Sequence, residues 1–202
     1  MPYPDKFYPV VDSVKWVARL TALGVGTIQL RAKDLNDSEA LQIVSDALAV
    51  TKGTATKLVV NDYWRAAIEA GATHLHLGQE DLADADVPAI KAAGLTLGIS
   101  THDDAELETA LRAKPDYIAL GPIFPTTLKS MRFAPQGIPK ITEWKKRIGN
   151  TPLVAIGGIK LEQARAIFAA GADSIAVVSD VTQNPEPDAR VRAWLGVNVE
   201  AA

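Results

Sequence analysis

The chain has 202 residues, 48% of them apolar, a formal net charge of -3 and no cysteine. That length buries one substantial core and is short for two, so residues 1–202 read as a single domain. The mild negative charge argues against a general nucleic-acid or membrane-surface binder, and the lack of cysteine removes disulfides, thiolate metal sites and a cysteine nucleophile. The first residues carry no basic and apolar leader pattern and no apolar run reaches membrane-spanning length, so a soluble, cytoplasmic protein is expected.

Strand-like and helix-like segments alternate throughout. The apolar, β-branched runs are Phe7 to Val11, Thr27 to Arg31, Leu58 to Asn61, His74 to Leu77, Thr96 to Ser100, Tyr117 to Leu120, Leu153 to Ile156 and Ser174 to Val178. Helical patterns cover Val14 to Leu23, Ser38 to Thr51, Tyr63 to Ala70, Val87 to Ala93, Asp103 to Ala113, Ile138 to Arg147, Leu161 to Ala170 and Pro187 to Leu195. Gly24, Gly71, Gly94 and Gly171 stand where these helices stop, and Ser38 and Asp103 stand where N-caps belong. Eight strand-helix units predict an α/β fold of the (β/α)8 TIM-barrel type, with an open doubly wound sheet as the alternative.

A barrel gathers all strand ends at one mouth, and the polar residues fall there. Asp62 and Asp81 follow the third and fourth strands. On one rim they can share a hard cation; without it they repel and one pKa rises. Two carboxylates alone suit a structural Ca2+ or a solvated rim as well. Gln29, Arg31 and Lys33 are two apart and share a direction while the strand keeps its pleat. His74 and His76 share a strand face, where hydrogen-bonded core histidines are more usual than zinc ligands. Ser100 sits near His102, but no nucleophile elbow surrounds it, so a passive hydrogen bond is the simpler role. The irregular stretch from Gly121 to Gly137 holds Thr126, Thr127, Lys129 and Arg132 for anions and Phe124, Met131 and Phe133 for a ring, as a binding loop would. Gly157-Gly158 and Val178-Ser179 end the seventh and eighth strands, where barrels often hold a phosphate.

In chain order, Gln29-Leu30-Arg31-Ala32-Lys33, Asn61-Asp62, His76-Leu77-Gly78-Gln79-Glu80-Asp81, Ser100-Thr101-His102, Gly121-Pro122-Ile123-Phe124-Pro125-Thr126 with Lys129, Ala134-Pro135-Gln136-Gly137, Ile156-Gly157-Gly158-Ile159 and Val178-Ser179 resemble the thiamine-phosphate synthases over nearly the whole chain. The resemblance implies a Mg2+-dependent transferase of thiamine biosynthesis. Such an enzyme joins an aminopyrimidine methyl diphosphate to a thiazole ethyl phosphate and releases pyrophosphate. Its partners would be these two small molecules, with no nucleic acid or membrane, and a homo-oligomer is compatible with it. The resemblance assigns Gln29, Leu30, Arg31, Ala32, Lys33, Asn61, Ser100 and Lys129 to the pyrimidine diphosphate and Asp62 and Asp81 to Mg2+. It assigns Thr126, Thr127, Leu128, Gly158, Val178 and Ser179 to the thiazole phosphate, with Arg31, Lys33, Ser100 and Lys129 in the chemistry.

The family pattern in the long loop is Thr-x-Thr-Lys, whereas this chain reads Thr126-Thr127-Leu128-Lys129, so one hydroxyl is lost. A hydrogen bond to a charged group is worth about 1.5 to 3 kcal/mol, a cost felt in KM rather than in the existence of activity. Two other functions compete: a thiazole tautomerase, disfavoured because Pro122 stands where that activity wants a histidine, and a phosphate-ligand binder without turnover.

Overall fold

The computed structural model describes residues 3–126 and 133–197. Eight parallel strands close into a barrel in sequence order: β1 (Phe7–Val11), β2 (Thr27–Leu30), β3 (Lys57–Asn61), β4 (His74–Leu77), β5 (Thr96–Thr101), β6 (Tyr117–Leu120), β7 (Leu153–Ile156) and β8 (Ser174–Val177). Pairing of Phe7 with Ile175 and Tyr8 with Ala176 shuts the ring. The open-sheet alternative is therefore excluded.

Around it run α1 (Val14–Ala22), α2 (Asp37–Thr51), α3 (Trp64–Glu69), α4 (Gln79–Asp84), α5 (Val87–Ala92), α6 (Asp104–Arg112), α7 (Gly137–Ile148), a 3-10 turn (Leu161–Gln163) leading into α8 (Ala164–Ala169), α9 (Ser179–Thr182) and α10 (Pro187–Leu195). Gly24, Gly71, Gly94 and Gly171 all take positive φ after helices, as expected. Asp103 caps α6, its side chain accepting from Glu106 N at 2.8 Å. The cap of α2, by contrast, is Asn36 and not Ser38. Asn36 and Glu39 form a reciprocal capping box two residues further upstream, which satisfies two backbone donors where Ser38 alone would satisfy one.

Successive strand residues alternate between two cores. Tyr8, Val10, Val59, Tyr117, Ala119, Val154 and Ala176 fill the barrel, while residues such as Ile28, Leu30, Leu75, Leu97, Ile118 and Ile175 pack outward under the helices. Gly98 belongs to the inner set. A Cβ there would overlap the ring of Tyr117, so the missing side chain lets that ring lie across β5. His76, Gly98 and Tyr117 are cross-strand partners on β4, β5 and β6, which brings the Tyr117 hydroxyl over to His76. Among the described residues no helix is long and apolar enough to cross a membrane.

Candidate active site

A cavity of about 400 Å3 opens at the carboxyl ends of the strands, within the size range of small-molecule sites. On the side of β2 to β5 it is lined by Gln29, Arg31, Asn61, His76 and Ser100; on the side of β6 to β8 by Thr126, Gly157, Gly158, Val178 and Ser179. The strand ends that the barrel gathers therefore form two facing walls.

The floor is a chain of hydrogen bonds. Gln29 Nε2 donates to the Tyr8 hydroxyl at 2.7 Å, and the hydroxyls of Tyr8 and Tyr117 are 2.8 Å apart. Tyr117 reaches His76 Nδ1 at 2.9 Å, and His76 Nε2 lies 2.7 Å from Ser100 Oγ. Burial, seconded by Arg31, pushes the His76 pKa down to about 3, so the ring is neutral with one donor and one acceptor nitrogen. Burial also holds both phenols protonated. One arrangement uses every donor and acceptor of the chain in turn: Tyr8 receives from Gln29 and gives to Tyr117, Tyr117 gives to Nδ1, and Nε2-H gives to Ser100. In that arrangement Ser100 keeps its own hydrogen for whatever fills the cavity. His102 is not its partner; it pairs with Glu106 at 2.7 Å and stacks on Phe133, ring centroids 4.8 Å apart and 7° from parallel. His74 bonds Thr73 at 2.7 Å, and burial, then Lys57, lowers its pKa to about 4.

The two carboxylates do converge. Asp62 follows β3 in a left-handed conformation, φ +64°, and Asp81 stands in the first turn of α4, a helix absent from the sequence reading. Gly78 makes room, since its Cβ would sit only 3.0 Å from Asp81 Oδ2. Asn61 Nδ2 and, at 3.4 Å, Gly78 N donate to the Asp62 carboxylate. Burial first, then the charge of Asp81, raises the Asp62 pKa to about 6, against a lowering pull from Gly78 N and Arg31. Among the described residues no third His, Cys, Asp or Glu joins them in a metal-binding group. The pair opens onto a neighbouring cleft, which both residues line beside Tyr63 and Trp64. It is a hard-oxygen donor set short of positive charge. Mg2+ takes such sites with one or two carboxylates and fills the rest of its shell with water and phosphate oxygen, so these residues fit the ion.

The run 29–33 divides. Gln29 and Arg31 line the cavity, Leu30 points outward into the helix-covered core, Ala32 is half-buried away from the lining, and Lys33 is exposed. The pleat on which a common direction for Lys33 depended ends at Leu30, and Asp34 turns the chain at φ +58°. Thr127, Leu128 and Lys129 lie outside the described residues. The glycine pair has a reason beyond anion binding: β-carbons on Gly157 and Gly158 would strike Pro122 Cα at 2.6 Å and Phe124 O at 2.8 Å. The loop leaving β6 docks there, with Ile123 N on Ile156 O at 2.9 Å and Phe124 N on Gly157 O at 3.0 Å.

Sequence reasoning did not single out Tyr8, Tyr117, Asp12 or Gln183, although the last two line the cavity and the first two build its floor. A tyrosine in a strand reads as core, and only its cross-strand neighbours reveal the polar use.

Comparison with known proteins agrees with this geometry. The chain is 54% identical to the thiamine-phosphate synthase of Rhizobium etli over 191 residues, covering 95% of this chain and 94% of that one. It is 51% identical to that of Salmonella typhimurium over 203 residues, covering 99% and 96%. The solved thiamine phosphate pyrophosphorylase of Pyrococcus furiosus superposes with a TM-score of 0.79 at 28% identity, covering 94% and 93%. A 3-hexulose-6-phosphate synthase, at 15% identity and a TM-score of 0.67, shares the fold alone. The model of the thiamine monophosphate synthase family matches residues 7–181, and the chain belongs to that family.

Proposed function

We propose that this chain joins an aminopyrimidine methyl diphosphate to a thiazole ethyl phosphate and releases pyrophosphate, with Mg2+ held by Asp62 and Asp81. The observation that carries the reading is the cavity's two-walled build. Arg31, Asn61 and Ser100 lie on the side of the carboxylate pair, and Gly158, Val178 and Ser179 face them across about 400 Å3. One wall suits a diphosphate, the other a monophosphate, and the space between suits two rings.

In this reaction the methylene carbon-oxygen bond breaks with its electron pair leaving on pyrophosphate, and the thiazole nitrogen lone pair forms the new carbon-nitrogen bond. No proton has to move, which fits a site where the histidine beside Ser100 is neutral and the other lining histidine, His102, is tied to Glu106. When bound, Mg2+ supplies positive charge to the departing diphosphate. Arg31 places a fixed guanidinium beside the same oxygens, and Lys129 would add an ammonium from the loop. Ser100 offers its hydrogen, fixed in direction by the chain from Gln29. Gln29 and Asn61 hold the pyrimidine side, and Thr126, Gly158 and Ser179 hold the monophosphate so that the nitrogen lone pair faces the methylene.

Phosphorus NMR tests the proposal. Protein, Mg2+ and both substrates together should give pyrophosphate and a new phosphomonoester signal, and omission of the thiazole phosphate or addition of EDTA should stop both. Unchanged spectra with all components present would overturn it.

A further inference from the structure

Asp180 is the residue after Ser179 and is not among the residues lining the cavity, and its side chain is only 7% exposed. It takes four hydrogen bonds: from Arg190 Nε and Nη2, both at 2.8 Å, from Trp194 Nε1 at 2.8 Å, and from Leu161 N at 3.3 Å. Arg190 in turn makes a two-pronged pair with Glu162 at 2.8 and 2.9 Å. Trp194 is fixed by stacking on Phe7 of β1, ring centroids 5.4 Å apart. Leu161 lies three residues past Gly158. The carboxylate of Asp180 therefore ties the segment leaving β7 to the segment leaving β8, and α10 holds the knot from behind.

These two segments carry Gly158 and Ser179 into the cavity wall. We infer that Asp180, clamped by Arg190, is a positioning residue for the monophosphate, setting the separation of the Gly158 and Ser179 sides of its site. The phosphate placed there rests on the synthase reading above. Charge enters as well as geometry. A carboxylate next to Ser179 would repel a phosphate, and Arg190, shared with Glu162, offsets it at hydrogen-bonding distance. Loss of Asp180 leaves the neutral Arg190–Glu162 pair behind the site with its frame broken, whereas loss of Arg190 leaves two uncompensated carboxylates.

The test is calorimetric titration of the full-length protein with inorganic phosphate and with the thiazole phosphate, alongside KM for each substrate. Asp180→Asn should weaken both phosphates about tenfold, the size of one charge-assisted hydrogen bond lost from the frame, while KM for the pyrimidine diphosphate stays within about threefold. Arg190→Gln should weaken them further, and added salt should narrow the gap between the two variants, as it does for charges acting through solvent. If either protein fails to fold by circular dichroism, Trp194→Phe keeps the stack on Phe7, removes one donor and should cost about threefold in phosphate affinity. Unchanged phosphate affinity in folded variants, equal losses for both substrates, or a wild-type protein that binds neither phosphate would overturn the inference. Phosphate binding that weakens as described in a protein that releases no pyrophosphate would leave it standing and remove the synthase reading instead.

Discussion

The hydroxyl of Ser100 lies 2.7 Å from Nε2 of His76, one strand away, and His102, two residues along the chain, is held by Glu106 instead. Ser100 is thus the far end of a polar chain that begins at Gln29 on the other side of the barrel. Tyr117→Phe cuts it in the middle. Tyr8 loses the acceptor for its hydrogen and His76 Nδ1 loses its donor, each a buried group left unmade at a cost of about 1–3 kcal/mol. Urea denaturation should show a loss of about 2–4 kcal/mol with an unchanged m-value, and the pyrimidine diphosphate KM should rise because Ser100 is no longer oriented. A variant as stable as the wild type would mean the chain is not continuous.

The same histidine makes stability depend on pH. In the folded protein its pKa is about 3 because burial penalises the charged ring, whereas the unfolded chain protonates near about 6.5. Between those values the unfolded state binds more protons, so stability is full above about pH 6.5 and falls as pH drops, by up to about 1.4 kcal/mol per unit. His74, lowered to about 4, acts in the same direction. His76→Gln should flatten the curve below about pH 6.5. Denaturation at a series of pH values for both proteins measures the difference, and parallel curves would show that His76 carries a proton when folded.

Much of this was legible from residue patterns because the fold repeats one unit. Apolar runs of strand length, each followed by a helix-length amphipathic segment and four of them by a stop glycine at Gly24, Gly71, Gly94 or Gly171, locate the barrel, and the strand ends then locate the mouth. Two short helices escaped. Gln79–Asp84 and Ser179–Thr182 are four to six residues long, too short for a helical period to show, and Asp81 and Ser179 sit in them. The direction of Lys33 also escaped, since it depends on where β2 stops pleating. The Ser100 partner depends on register between β4 and β5, which no local pattern encodes.

Asp62 and Asp81 repel each other in the absence of a cation, and the test of a shared ion is what happens when one charge goes. Asn is the informative replacement, because it tolerates the left-handed φ of +64° better than Ala does and retains an oxygen. Asp62→Asn should raise the melting temperature of the metal-free protein, abolish the further rise expected from Mg2+ in the wild type, and lower kcat about 100-fold, the scale for one preorganised charge-stabilising group. Thermal scans with and without Mg2+, followed by saturating-substrate kinetics, decide it. A variant that still gains stability from Mg2+ would place the ion elsewhere.

Gly98 supplies a test of the barrel floor that separates packing from backbone effects. Its side-chain position is taken by the Tyr117 ring, so Gly98→Ala forces a methyl into an aromatic face within a closed barrel where neither strand can retreat. Overpacking of this kind costs about 1–3 kcal/mol, and this case belongs at the upper end because the ring is also tied by hydrogen bonds to Tyr8 and His76. Tyr117→Ala alone should cost about 3–5 kcal/mol, as large-to-small changes of buried aromatics do. In that background the space beside Gly98 is empty, so adding the methyl there should cost little or even recover some packing. The double variant is therefore expected to be more stable than the sum of the singles by about 2 kcal/mol, a coupling that only residues in direct conflict produce. Strict additivity would mean that Gly98 is required by its own strand rather than by Tyr117.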